Sequence, residues 1–365
     1  MGNLQSSQAM RAAVVLRKEL DSLQRKFIAT EQVRESYLKE YRYIEGGVGL
    51  LRFACDSMGS VSDCFILYAF AVLGIADRMA VSMFLKSMAR KYKELNIVSL
   101  DDPDLLRRRI QSLFKCGFLF KMKYCVNTMG DESSADNINL WSITKDGLSL
   151  MNSKLGKRVI VDQWLQGKCI QDIVAWSSAS YISTILAQNN NFSGYGERIF
   201  KAPSTGTTYV PNEVLFDGPE KPRQYSVAFV QGYFNMNKQT QTVDDFKDAC
   251  SYKIKTIRNF LDVRGRKYNT YVVCVVESSK DLTNVVDVMF GSNILRDFVK
   301  NSDGTVTEVS GAFEDYISRI YFTGEGIALE HKGELDSGLL KLVLDESTGS
   351  YVFTCEVPPF LRDFN

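Results

Sequence analysis

Residues 101–155 read DDPDLLRRRIQSLFKCGFLFKMKYCVNTMGDESSADNINLWSITKDGLSLMNSKL, and the turn, helix and strand signals inside them decide how the chain is read. Asp102 stands where it can cap a helix, and Pro103 suits the first helical position because its missing N–H would find no partner there. Leu106, Ile110, Leu113 and Phe114 recur at helical spacing, so one stripe of that helix faces a core. Arg107, Arg108 and Arg109 follow one another in its N-terminal part. Gly117 stops it, since glycine takes the left-handed conformation without steric cost. An alternating strand is then expected over Phe118–Val126, a polar loop over Asn127–Asn139, a second strand over Leu140–Ile143, and a closing helix from Lys145.

The residues upstream supply two more helices. Ser62 opens one that is apolar through Leu73, and Asp77 caps another running to about Leu95, with Met79, Met83, Phe84, Met88 and Tyr92 as a packing stripe. Three helices followed by a hairpin is the order of a winged helix, in which the third helix enters the major groove. On that reading Arg107, Arg108, Arg109, Gln111, Ser112 and Lys115 meet phosphates or base edges, and Lys121 and Lys123 reach the flanking backbone. Arginine suits both tasks because its planar fork bonds two acceptors at once. The hairpin tip carries Asp131, Glu132 and Asp136, which oppose insertion into a minor groove. Between Arg78 and Lys123 eleven cations face only four carboxylates, which points to one basic face rather than a solvated helix of mixed sign.

The whole chain of 365 residues has a net charge of +1, so its basic character is local. A hydrophobic share of 45% and a charged share of 24% fit a folded protein of two domains or so, and exclude wholesale disorder. The eight cysteines form no CxxC pair and several lie in apolar runs, as expected of reduced, buried thiols. His331 is the single histidine, which disfavours histidine-rich zinc sites and Ser–His hydrolases. The first residues, MGNLQSSQAMRAAVV, lack the apolar core of a signal peptide, although Met1-Gly2 and Ser6 match the outline of a myristoylation pattern. Cys64–Ala76 is too short to span a bilayer. The expectation is a cytoplasmic protein with no membrane association. No Walker loop occurs, and Gly194-Tyr195-Gly196 lacks the further glycine of a dinucleotide site, so no cofactor is expected.

Three segments follow: a helical arm over 1–58, a winged-helix DNA-binding domain over 59–157, and a mixed-sheet α/β domain over 158–365. In the arm, one or two long helices are expected over Ala9–Arg42, loosely heptad-spaced; a homodimer contact and a helix packed on the next domain fit equally well. A short helix over Gly49–Met58 follows. In the last segment, helix is expected over Val159–Gln188, a turn over Asn189–Gly196, and strands over Arg198–Ala202, Thr208–Phe216 and Gln224–Gln231. A helix over Val243–Val263, a strand over Asn269–Val276, a helix over Leu282–Phe298, and strands over Ser318–Leu329, Leu339–Leu344 and Tyr351–Val357 complete an α+β chain.

Trp141-Ser142-Ile143-Thr144-Lys145-Asp146-Gly147, Val210-Pro211-Asn212-Glu213 and Tyr252-Lys253-Ile254-Lys255 together resemble the replication-relaxation family, over residues 60–290. These are winged-helix replication proteins of plasmids, phages and conjugative elements, with a C-terminal domain resembling a PD-(D/E)xK nuclease core. The resemblance implies DNA as partner, along with replication or transfer proteins. It implies a metal site only if the acids are present, and the first acid position is Asn212. The next strand, Ser226-Val227-Ala228-Phe229-Val230-Gln231, has neither acid nor lysine, so a degenerate, inactive core is expected, with no catalytic or metal residue. Two alternatives remain: a nuclease or nickase with a rearranged metal site around Glu213 and Asp217, and a protein-binding adaptor or transcriptional regulator. Two further features bear on nucleic acid. Lys247, Lys253, Lys255, Arg258, Arg264, Arg266 and Lys267 give a basic helical face, and Tyr225, Tyr233 and Phe234 are aromatics that suit either base stacking or sheet packing.

Overall fold

The computed structural model describes residues 2–22, 25–28, 61–91, 102–128, 136–155, 170–196, 199–202, 206–209, 212–219, 224–231, 243–324, 327 and 339–362. The chain is mixed α and β and divides into two compact units, residues 25–188 and residues 1–24 with 189–365. The division differs from the three segments read along the sequence: residues 1–24 group with the C-terminal strands, and residues 158–188, read as the start of the third segment, group with 25–157. Among the described residues no helix is long and apolar enough to cross a membrane.

In the unit of residues 25–188, β1 (Arg25–Ile28) precedes α2 (Val61–Leu73), α3 (Arg78–Lys91) and α4 (Pro103–Lys115). The caps follow the sequence. Asp77 Oδ1 accepts from the Ala80 N–H at 2.7 Å, and Asp102 Oδ1 accepts from the Asp104 N–H at 2.9 Å. At the end of α4, Gly117 has φ of 81°, and its N–H reaches the Phe114 carbonyl while the Phe118 N–H reaches Leu113. That double bond pattern is a Schellman stop, which satisfies two carbonyls the helix would otherwise leave bare. β2 (Leu119–Thr128) and β3 (Asp136–Ile143) pair antiparallel from Leu119↔Ile143 to Val126↔Asp136, so the arms are longer and the connection shorter than expected. Ala76, between α2 and α3, pairs with Trp141 of β3 through bonds of 3.1 and 2.9 Å.

Two further helices complete this unit. α5 (Lys145–Leu155) starts at Thr144, whose hydroxyl accepts from the Gly147 N–H and donates to the Gly117 carbonyl. A Cβ at Gly147 would stand 2.2 Å from the Phe118 carbonyl oxygen, so α5 packs at a distance only glycine permits. α6 (Ile170–Leu186) is buried along its described part. Its serines are accommodated by bonding to backbone, as Ser180 Oγ does to the Leu73 carbonyl at 2.8 Å.

The largest correction lies at the N-terminus. α1 (Gly2–Ser22) ends well short of Arg42, and Arg25–Ile28 is a strand pairing with β2 rather than a helical turn. Residues 29–60, with the rest of that expected helix and the one over Gly49–Met58, lie outside the described residues. α1 packs against the strand Ser350–Glu356 and the helix Ser279–Gly291, burying Ala13 and Leu16 and laying Arg17 over the Phe353 ring at 5.1 Å. Val14 and Val15, two of the apolar positions read along the arm, are exposed.

The other unit is built on a seven-stranded sheet in the order β14-β13-β12-β9-β8-β7-β4. Its strands are β4 (Phe192–Tyr195), β7 (Asn212–Asp217), β8 (Gln224–Gln231), β9 (Asn269–Val276), β12 (Ile320–Gly324), β13 (Leu339–Asp345) and β14 (Ser350–Glu356). β8, β9 and β12 are parallel, and the outer strands are antiparallel. The parallel connections run through α7 (Val243–Gly265) and α8 (Ser279–Gly291) with the short α9 (Ala312–Ser318). Val272 to Val276 are buried throughout, as a central strand covered on both faces requires.

Three expectations change here, and one hairpin is unexpected. Phe192–Tyr195 is an edge strand and not part of a turn. The run Thr208–Phe216 is two strands, because β6 (Gly206–Tyr209) pairs with β5 (Ile199–Ala202) in a separate two-stranded sheet. The helix expected to reach Phe298 stops at Gly291. Beyond it come β10 (Phe298–Lys300) and β11 (Val306–Glu308), a hairpin of its own.

Candidate nucleic-acid interface

Helix α4 sorts the expected contact residues by periodicity. Leu106, Ile110 and Leu113 are buried, and they fix which side faces the core. Asp104, Arg107, Arg108, Ser112 and Lys115 are exposed, with Gln111 half-exposed among them. These positions are three, four, seven, eight and eleven residues on from Asp104, so they form one stripe along the outer face. Arg107 reaches back to Asp104 at 3.4 Å, an exposed pair worth little.

Arg109 lies off that stripe. Its guanidinium sits 3.4 Å from a carboxylate oxygen of Asp63, whose side chain is 4% exposed against 37% for the arginine. Arg109 therefore ties α4 to the first turn of α2. Lys121 is half-buried, with its ammonium 5.7 Å from the centre of the Phe114 ring. Lys123 lies on β2 opposite Asn139, with its side chain outside the described residues. Asp131 and Glu132 of the tip are likewise outside them.

A strand that the sequence does not announce pairs with β2. β1 reads Arg25-Lys26-Phe27-Ile28 and lies along β2, with Arg25 opposite Thr128 and Lys26 opposite Asn127. Neither β1 nor β2 contains a carboxylate. No local signal marks this placement, since four residues are too few to show a period.

A second cluster lies in the C-terminal unit. The Glu213 side chain is fully buried, accepting from Ser226 Oγ at 2.5 Å and from the Arg264 guanidinium at 2.7 Å. The close packing extends to Gly196, where a Cβ would fall 2.1 Å from Glu213 Oε2. Asp217 is four residues further along β7, about 13 Å away at the usual strand rise. The Glu213 and Asp217 carboxylates therefore do not converge on one ion. Among the described residues no three His, Cys, Asp or Glu side chains group as metal ligands. Asn212, to which the resemblance gives the first acid position, is buried.

The basic face expected on α7 is mostly committed elsewhere. Arg258 is bound to Asp297 and to the Ile294 and Arg296 carbonyls, and Arg264 to Glu213. Lys255, Arg266 and Lys267 are exposed, Lys253 is half-buried, and the Lys247 side chain is outside the described residues. Tyr225 is buried in a ring cluster with Tyr271, Tyr321 and Phe360, so sheet packing accounts for it. Tyr233 and Phe234 lie outside the described residues. Burial raises the Cys250 thiol to about 11 and the Cys274 thiol to about 12, which keeps both protonated and inert at neutral pH.

No family model, curated protein or solved structure matches the chain.

Proposed function

We propose that residues 61–155 form a winged helix and that the chain binds duplex DNA through α4. One observation carries the fold reading: the Ala76–Trp141 bridge. It places a minimal strand between the first and second helices and pairs it with the last strand of the hairpin, while the second and third helices run on to the wing. The exposed Arg107, Arg108, Ser112 and Lys115, with the half-exposed Gln111, then occupy the groove-facing side of the recognition helix. Lys121 and Lys123 lie on the wing, and Arg109 serves the domain rather than the DNA. Thr144 and Gly147, which carry part of the resemblance to replication-relaxation proteins, have structural work here as cap and close-packing site. On the strength of that resemblance we assign the protein to replication, or its control, on a mobile element.

The C-terminal unit takes a non-catalytic part in this proposal. Its strand order supports a nuclease-like mixed sheet: β7 is antiparallel to β8, and α7 crosses to the parallel β9. A guanidinium bonds the buried carboxylate at Glu213, so that acid is neutralised from within the chain.

Fluorescence-anisotropy titration of labelled duplexes at rising salt tests the proposal. Binding that weakens steeply with salt is expected, since each neutralised phosphate releases counterions. A salt-insensitive protein partner with no DNA binding would replace this reading with the adaptor one.

A further inference from the structure

The β10–β11 hairpin stands apart from both larger sheets, and every residue from Phe298 to Gly311 is exposed. Its apolar side chains are open to solvent: Phe298 is 46% exposed, Val299 53% and Val306 63%. A two-stranded hairpin is marginal in water on its own and leaves both edges unpaired. The two strands differ in their side-chain bonding. On β11, Thr307 accepts from Asn301 at 2.7 Å and Glu308 is held by Arg296 at 2.8 Å. On β10, Phe298, Val299 and Lys300 extend into solvent.

The hydrogen-bond phase defines what the β10 edge offers. The Asn301 N–H bonds Thr305 and the Val309 N–H bonds Asp297, so the odd-numbered residues of β10 point their backbone groups at β11. Phe298 and Lys300 therefore turn theirs outward. An antiparallel copy of the same strand, centred on Val299, would meet those groups in register. Phe298 of one copy would face Lys300 of the other, setting an ammonium beside a ring. Val299 would face Val299 at the two-fold, and no like charges would be opposed.

We propose that a second copy of this chain pairs with the outer edge of β10, which no strand among the described residues covers, in antiparallel register about Val299. The pairing makes a four-stranded sheet from two hairpins and covers the exposed Phe298 and Val299. With only three residues a side it is a weak, concentration-dependent contact. It stands apart from the DNA reading and from the dimer expected through the N-terminal helices.

Mild oxidation of the full-length Val299→Cys protein tests it, with the wild-type chain measuring background from native thiols. The two positions 299 form a non-hydrogen-bonded pair, with Cα atoms about 4.5 Å apart. That is within disulfide reach. Disulfide-linked dimer several-fold above background is expected for Val299→Cys, and none above background for Lys300→Cys, whose copies do not face each other. Equal cross-linking of the two, or Val299→Cys at the wild-type level, would overturn the proposal and leave Lys300 as a charge that blunts the edge. Val299→Lys supplies a second readout in sedimentation. Concentration-dependent association should disappear with no change in Tm, and association that persists would refute the register.

Discussion

Three consecutive arginines on one helix have two different tasks, and the helical period separates them. Arg107 and Arg108 stand on the outer stripe, whereas Arg109 is three residues after buried Leu106 and four before buried Leu113. That spacing is legible in the sequence; the partner, Asp63, is not, because it lies 46 residues away and is met only on folding. Arg109→Ala should lower stability by about 1–2 kcal/mol, since it leaves a buried carboxylate without its guanidinium. The figure stays below that of a fully buried pair because Arg109 is partly solvated. Arg107→Ala and Arg108→Ala should stay within about 0.5 kcal/mol of wild type, as exposed substitutions do. Denaturant titration of the three variants, set beside their duplex affinities, separates a scaffold arginine from two contact arginines.

At the scale of elements, caps and stops are readable in the sequence and pairings are not. Asp77, Asp102, Gly117 and Thr144 act where their chemistry says they should, because a cap is a local transaction between a side chain and nearby backbone. β1 hides inside a helical pattern because Leu20, Leu23 and Phe27 fit a helical spacing, and only the neighbouring β2 reveals it as a strand. The tight approach at Gly147 is hidden for the same reason, since Phe118 comes from a different element. On the proposed DNA reading β1 has a consequence for binding, since it lies beside the β2–β3 hairpin with Arg25 and Lys26 opposite Thr128 and Asn127. Replacing both by alanine should flatten the salt dependence of duplex binding, by about 0.9 in log–log slope for each phosphate no longer neutralised. An unchanged slope, in a variant that still binds DNA and keeps its Tm, would confine recognition to α4.

Across the whole molecule, the succession of helices and strands in the C-terminal half is legible from alternation and turn residues, but membership of the units is not. α1 lies with strands more than three hundred residues on in the chain, a proximity no local pattern encodes. Desolvated thiols give the fold a pH limit. Cys250 rises from 9.0 to about 11, and Cys274 and Cys355 rise to about 12, all chiefly through desolvation. The folded chain holds these protons where the unfolded chain releases them, so the stabilisation is complete below pH 9 and is lost as the pH climbs through the folded values. Thermal unfolding should show Tm falling between about pH 9 and about pH 11, and Cys250→Ala should shallow that fall. The central claim is that the exposed stripe of α4 reads duplex DNA. Selection of bound sequences from a random duplex pool, run side by side on the wild-type chain and on an Arg107→Ala, Arg108→Ala variant of unchanged Tm, tests it most directly. A consensus enriched by the wild type and lost by the variant is the expected result; no consensus from the wild type, or the same consensus from both, would contradict the claim.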